Sequence, residues 1–348
     1  MARRAGLKTL ELSRVEEVLR QARRAQQDVY VPFQEIRPDI RDPLAPIEDR
    51  FLVRIGPVAG QKPLGLSPNA LEQLCALAGV PPSFLERVPT SLALRLLRAC
   101  LETAEHADGR RVLVRLKTAG PPSVRAILPQ SYVRFDDLDV LSELRAAAEG
   151  RELKALRVNV TDDIFFLRLA GEEVHSLGSA QHPDPALAGI DLITSETGAH
   201  KLELRQVLLR VVCENGLTMM SKAGRSFRSR FSAIDRQKLH EAFRKTLEES
   251  ICKGPEIAGR LAETRSSYIK DPRAELDAIF RKYKLGTTRG RIGRWVVQEV
   301  LRNISIFGIL KFDLIQAFTA VARGLDHSAR TRIEDAMGSY LMAGAESN

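Results

Sequence analysis

The sequence predicts an α+β fold with an antiparallel sheet as its core, and three observations carry that expectation. Val112 to Leu116 with Val124 to Leu128, and Leu156 to Val160 with Ile164 to Leu169, are paired apolar runs joined by turn residues, the pattern of two hairpins. Leu202 to Cys213 is a longer Val- and Leu-rich run closed by a Glu214-Asn215-Gly216 turn. The segments on either side have helical rather than alternating periodicity. The sheet is therefore expected over about residues 110–220, between an N-terminal helical unit and a C-terminal helical region.

Length and composition set the limits. At 348 residues the chain has room for two or three domains, and 44% hydrophobic with 28% charged residues is a globular rather than a disordered composition. The expected segments are 1–49, an amphipathic helix and a Pro-rich linker; 50–108, a small helical unit; 109–221, the α+β core; and 222–348, a basic helical region.

In chain order, Leu7, Leu10, Leu12, Val15, Val18 and Leu19 recur at near-helical spacing, with Arg14, Arg20, Arg23 and Arg24 among Glu11, Glu16 and Glu17. Four prolines between Tyr30 and Asp49 read as an extended linker. After a short strand from Phe51 to Ile55, Ser67-Pro68 is an N-cap with proline at the first helical position, and Gly79-Val80-Pro81-Pro82 ends that helix. A second helix runs from Pro89-Thr90 to about Leu101. The pair has a helix-turn-helix outline but too few polar residues to read DNA, so packing is its expected role. In the first hairpin Arg111, Arg115 and Lys117 are expected on the face opposite the apolar one.

Asp136-Asp137 caps a helix from Leu138 to Ala148, and the stretch Gly171 to Gly189 reads as a long polar loop. Ser195-Glu196-Thr197-Gly198 reads as a polar turn. Beyond Lys238, Leu239 to Cys252 is amphipathic, Gly254-Pro255 breaks it, and Ile257 to Ile269 resumes. Asp271-Pro272 starts another helix, Leu285 to Gly293 is a glycine-rich basic loop before the helix holding Trp295, and a last helix pair begins at Asp313.

The net charge of +9 is unevenly spread. Residues 222–245 carry eight Lys or Arg against two acids, with Phe227, Phe231 and Phe243 interleaved. Residues 281–302 carry seven against Glu299, close to Tyr283 and Trp295. The rest of the chain is slightly acidic, which points to a polyanionic partner. Cations neutralise phosphates and aromatic rings stack on unpaired bases. The candidate nucleic-acid-binding residues are accordingly Lys222, Arg225, Phe227, Arg228, Arg230, Arg236, Lys238, Arg289, Arg291 and Arg294. Single-stranded DNA is the favoured partner.

Enzyme chemistry has weaker support. Glu196 with His200, Cys213, Asn215 and the Asp162-Asp163 turn could serve a metal nuclease, but none has diagnostic spacing. The glycines from Gly286 to Gly293 lack the phosphate-loop pattern. Cys75, Cys100, Cys213 and Cys252 are far apart among apolar neighbours and read as buried thiols, so no metal and no cofactor are expected. A third reading is a protein-interaction module, such as a host-enzyme inhibitor, whose basic patches meet an acidic surface. No apolar run reaches membrane-span length and Met1-Ala2-Arg3-Arg4 leads into no signal core, so a cytoplasmic location is expected.

Several blocks carry a resemblance. Pro129-Gln130-Ser131-Tyr132-Val133-Arg134 with Leu138-Asp139-Val140-Leu141, then Ser195-Glu196-Thr197-Gly198, then Arg210 to Leu217, resemble in order the motifs of a phage- and plasmid-like family, the domain of unknown function nine-three-two. Leu74 to Pro81 and Ala317 to Ala322 are similar to its flanking blocks, so the likeness spans roughly residues 50–342. Glu214 and Val133 depart from its pattern. The resemblance implies a mobile-element or chromosomal relative with a cytoplasmic role and brings no catalytic residues. An antiparallel sheet backed by helices with a basic groove is also the general plan of phage single-strand annealing proteins, which suggests a homo-oligomer acting in DNA recombination.

Overall fold

The computed structural model describes residues 11–56, 62–103, 111–176, 185–210, 215–219, 228–229, 236–303, 309–325 and 327–343. The fold is α+β. The elements of the N-terminal half are α1 (Leu12–Arg24), β1 (Gln26–Pro32), β2 (Ile36–Ile40), α2 (Ile47–Arg50), β3 (Phe51–Ile55), β4 (Leu64–Leu66), α3 (Pro68–Ala78), α4 (Pro82–Leu85), α5 (Thr90–Thr103), β5 (Arg111–Lys117), β6 (Ser123–Pro129) and α6 (Asp137–Ala147). They are followed by β7 (Leu153–Val160), β8 (Phe165–Ser176), β9 (Pro185–Thr194), β10 (Leu202–Arg210), β11 (Asn215–Met219) and β12 (Arg228–Ser229). The chain ends in α7 (Arg236–Glu263), β13 (Tyr268–Ile269), α8 (Pro272–Lys282), α9 (Arg291–Asn303), β14 (Ile309–Leu310), α10 (Lys311–Ala322) and α11 (His327–Ala343).

Two large sheets form where one was expected, besides a small two-stranded antiparallel pair of β13 with β14. The first has the order β1-β5-β6-β4-β3-β2, and its β4–β6 pair is parallel while its other pairs are antiparallel. The second has the order β11-β10-β9-β8-β7, with β12 also on β10. Strand structure thus begins at Gln26, well before residue 110, and the expected boundaries at 49/50 and 108/109 fall inside the stretch that builds the first sheet. The proline-rich stretch is not a linker: it supplies β1 and β2. Pro32 ends one strand, and Pro38 lies in β2, which forms a sheet edge where a missing N–H costs no ladder bond.

Packing explains the rest of the first half. Ser67 Oγ accepts from the Ala70 amide, and Gly79 at φ 69° closes α3. With that start and stop fixed, Leu71, Leu74 and Cys75 of α3 and Ala93, Leu94 and Leu97 of α5 cover one face of the first sheet. Burial pushes the Cys75 thiol up to about 11, with Glu72 adding to it, an inert sulfur as expected. Cys100 is only half-buried. Val112 to Leu116 is buried on both faces, so Arg115 is enclosed rather than solvated.

The second sheet is covered on one side by Val15 and Leu19 of α1, Leu141 and Leu144 of α6, and Phe243 of α7. The described parts of the stretch from Gly171 to Gly189 are strand, β8 running through Ser176 with a register shift between Ala170 and Val174 and β9 starting at Pro185, while residues 177–184 of the expected loop lie outside the described residues. Asn215 and Gly216 form no turn either, since they open β11 opposite Arg210 and Leu209. The helix expected to break at Pro255 continues through it as α7. Proline gives up one backbone bond there, and Ile257, Ala258 and Leu261 hold the following turns in the C-terminal core.

Candidate nucleic-acid interface

Of the first basic cluster, Lys222, Arg225, Phe227 and Arg230 lie outside the described residues. The backbone of Arg228 pairs in β12 with Glu203 of β10, and Arg236 begins α7. Lys238 is exposed on α7. Phe243 is not a stacking surface. It is fully buried against the second sheet, so this ring anchors α7 to the core. Arg244 is tied to Glu248 at 3.1 Å on the same helix.

The second cluster is built around the α8–α9 hairpin. Asp271 Oδ1 accepts from the Arg273 and Ala274 amides and starts α8. Tyr283 ends it, and the loop 284–290 turns back through Lys284 at φ 53° and Gly286 at φ 97°. The loop packs tightly onto the next helix at Gly293, where a Cβ would lie 2.3 Å from the Thr287 carbonyl oxygen. Between the two helices runs an open groove of about 1,070 Å³. Arg273, Arg289 and Arg294 stand on its rim, all exposed. Leu276, Val297, Val300 and Leu301 line it too, Leu276 and Val300 buried and Leu301 exposed.

The groove keeps a small positive excess, three arginines against Asp271 and Asp277. Among the described residues, Arg273, Arg289 and Arg294 have no ion-pair partner. The two groove carboxylates accept from neutral donors and remain anionic, Asp271 in capping α8 and Asp277 in accepting from Thr288 Oγ1 at 2.7 Å, so they offset part of the cationic charge. Arg291 lies outside the groove, with its guanidinium 5.3 Å from the centroid of the half-exposed Trp295 ring. Arg302 is paired with Glu299 at 2.6 Å. The structure therefore brings Arg289 and Arg294 together, sets Arg291 beside them, and adds Arg273. Arg273 was missed because it follows Asp271-Pro272, outside the charge-rich window, although an N-cap followed by arginine was there to be read.

The cations of the sheets contrast with this. Arg115 is fully enclosed, and its guanidinium donates to Asp28 at 3.1 and 3.2 Å, to Asp136 at 2.6 Å and to the Glu196 carbonyl at 2.6 Å. Burial opposes its charge, but Glu196, Asp136 and Asp28 outweigh that and hold its pKa above the ordinary value. Arg125 binds Glu196 Oε1 at 2.8 Å. The Ser195-Glu196-Thr197-Gly198 turn is thus not a surface feature. It plugs into the first sheet, where Asn69 and Gln73 of α3 donate to the Thr197 carbonyl at 3.1 and 2.8 Å and the Tyr132 hydroxyl donates to the Glu196 carbonyl at 3.3 Å.

That junction separates the enzyme candidates. Glu196 is buried against arginine while His200 is exposed, and Asp162 is paired with Lys117 at 2.8 Å. Cys213 lies outside the described residues, and Asn215 is in β11. Asp137 lines a cavity of about 20 Å³ with Glu196 and Arg125, room for one water. Burial raises its pKa well above the usual range, and Glu196 and Asp136 raise it further, which favours the neutral acid. Among the described residues no group of three or more His, Cys, Asp or Glu is placed to hold a metal. No helix of the described residues is long and apolar enough to cross a membrane. No family model, curated protein or solved structure matches this chain.

Proposed function

We propose that the protein binds nucleic acid, with single-stranded DNA as the favoured partner, and that the α8–α9 groove is part of the binding surface. One observation carries the reading. Arg273, Arg289 and Arg294 line one groove without ion-pair partners among the described residues, whereas Arg115, Arg125, Arg168 and Arg205 are held by the protein's own carboxylates. An unpaired guanidinium retains its full capacity for a phosphate, which it meets in a bidentate, charge-assisted contact. The resemblance to a phage- and plasmid-like family fits a strand-binding or annealing role in DNA recombination, in the cytoplasm and as a homo-oligomer.

A gel-shift series with a single-stranded oligonucleotide, its duplex and the matching RNA, run with and without magnesium at rising salt, tests this. Binding at micromolar protein and low salt that falls steeply as salt rises is the expected result. No shift with any of the three nucleic acids contradicts it, and cleavage appearing with magnesium replaces it with a nuclease reading.

A further inference from the structure

The groove has two chemistries, and phosphate accounts for only one of them. Its exposed charged lining has a cationic excess, Arg273, Arg289 and Arg294 against Asp271 and Asp277, but Leu276, Val297, Val300 and Leu301 form an apolar wall beside it. Leu276 and Val300 belong to the core, whereas Leu301 is 60% exposed, the more open of the two exposed large apolar residues of α9, the other being Trp295. A ligand that satisfied the arginines alone would leave this apolar wall in water, and a purely apolar ligand would leave three guanidiniums without anions. In a duplex the bases are stacked and paired inside the helix, so it presents phosphate to the rim and nothing to the wall. A single strand presents both, since an unstacked base is a flat, largely apolar body attached to the phosphate.

Resting on the nucleic-acid reading above, we infer that the α8–α9 groove recognises unpaired nucleotides in two parts, with phosphates on Arg273, Arg289 and Arg294 and a base seated on Leu301 and Val297. Affinity at this site then depends on the presence of bases as well as on charge, and single strands are preferred over duplex for that reason. Leu301 and Val297 are aliphatic and offer a base no donor or acceptor, so the contact they make falls on exposed base faces rather than on base identity.

The test uses the full-length protein and fluorescence anisotropy with a labelled oligothymidylate, an abasic strand of equal length and charge, and an acidic amphipathic helical peptide. Oligothymidylate is expected to bind about tenfold or more tightly than the abasic strand, an order of magnitude set by one base contact. Leu301→Gln, at an exposed position where folding is unaffected, should close most of that gap while leaving the abasic strand bound as before. Unchanged thermal unfolding of the variant confirms the fold. Equal binding of the two strands overturns the inference and leaves phosphate binding standing. No binding of either strand removes the nucleic-acid reading itself, and tight binding of the peptide alone assigns the groove to a protein partner and overturns both.

Discussion

Arg115 shows how strongly a single residue is fixed by its surroundings. An enclosed guanidinium donating to Asp28, Asp136 and the Glu196 carbonyl joins β1, β5, the start of α6 and the β9–β10 turn in one place. Removing one member of a buried charge set leaves the others uncompensated, so Arg115→Met should cost about 3–5 kcal/mol. Chemical denaturation measures this, and a loss below about 1 kcal/mol would show that Arg23 and Arg134, which also reach Asp28, take over. Arg115 was legible as a residue type but not as a buried one, because alternation in a hairpin suggests a solvated second face and the sequence gives no sign of the turn that covers it. At the groove, Gly293→Ala places a methyl against the Thr287 carbonyl and must displace the loop carrying Arg289. Oligonucleotide affinity should fall several-fold and the unfolding midpoint should drop with it, because the clash is with backbone atoms; unchanged affinity in the folded variant would mean that the loop position is immaterial.

Among the elements, α11 joins the second sheet through a buried set of ion pairs. Its Arg330, Glu334 and Asp335 face the side of the second sheet away from α1 and α6. Glu334 takes a 2.8 Å bond from Arg168 of β8, which also binds Asp191 of β9, and Asp335 meets Arg205 of β10 at 3.0 Å. Burial pushes the Asp335 carboxyl up to about 7; Arg205 opposes this, while Glu203, Asp191 and Glu334 reinforce it. A carboxyl raised in the fold binds a proton that the unfolded chain releases near pH 4, so its contribution is complete below that value and is lost as pH rises through about 7. Glu334 works in the other direction: burial opposes its charge, but Arg168 and Arg330 outweigh it, so its contribution is lost only in acid. Amide exchange along α11, corrected for intrinsic rates, should therefore show stronger protection at pH 6 than at pH 8, and Asp335→Asn should flatten the difference. Equal protection in the native protein would contradict this. Helix periodicity announced α11 and its neighbours, as did the caps at Ser67 and Asp271. Pro255 misled because local propensity ends a helix there, whereas the packing of Ile257, Ala258 and Leu261 carries it on.

For the whole molecule, the α+β class and both central hairpins were legible because period-two runs bounded by turn residues are local signals. The division into two sheets was not, since strand order is set by contacts between distant segments such as β1 with β5. The clustering of positive charge was equally plain in the sequence. What it could not show is which cations are free, because that depends on the carboxylates each meets after folding: Arg168 and Arg205 end in buried pairs, whereas Arg273, Arg289 and Arg294 end on a groove rim. That contrast is measurable as a salt dependence. Each phosphate contact on a single strand contributes about 0.7 to the slope of log affinity against log salt concentration. The combined Arg273→Ala, Arg289→Ala and Arg294→Ala variant, compared with the native protein over a salt series, should therefore bind single-stranded DNA more weakly with a slope shallower by about 2. A folded triple variant with the native affinity and the native slope would contradict the account.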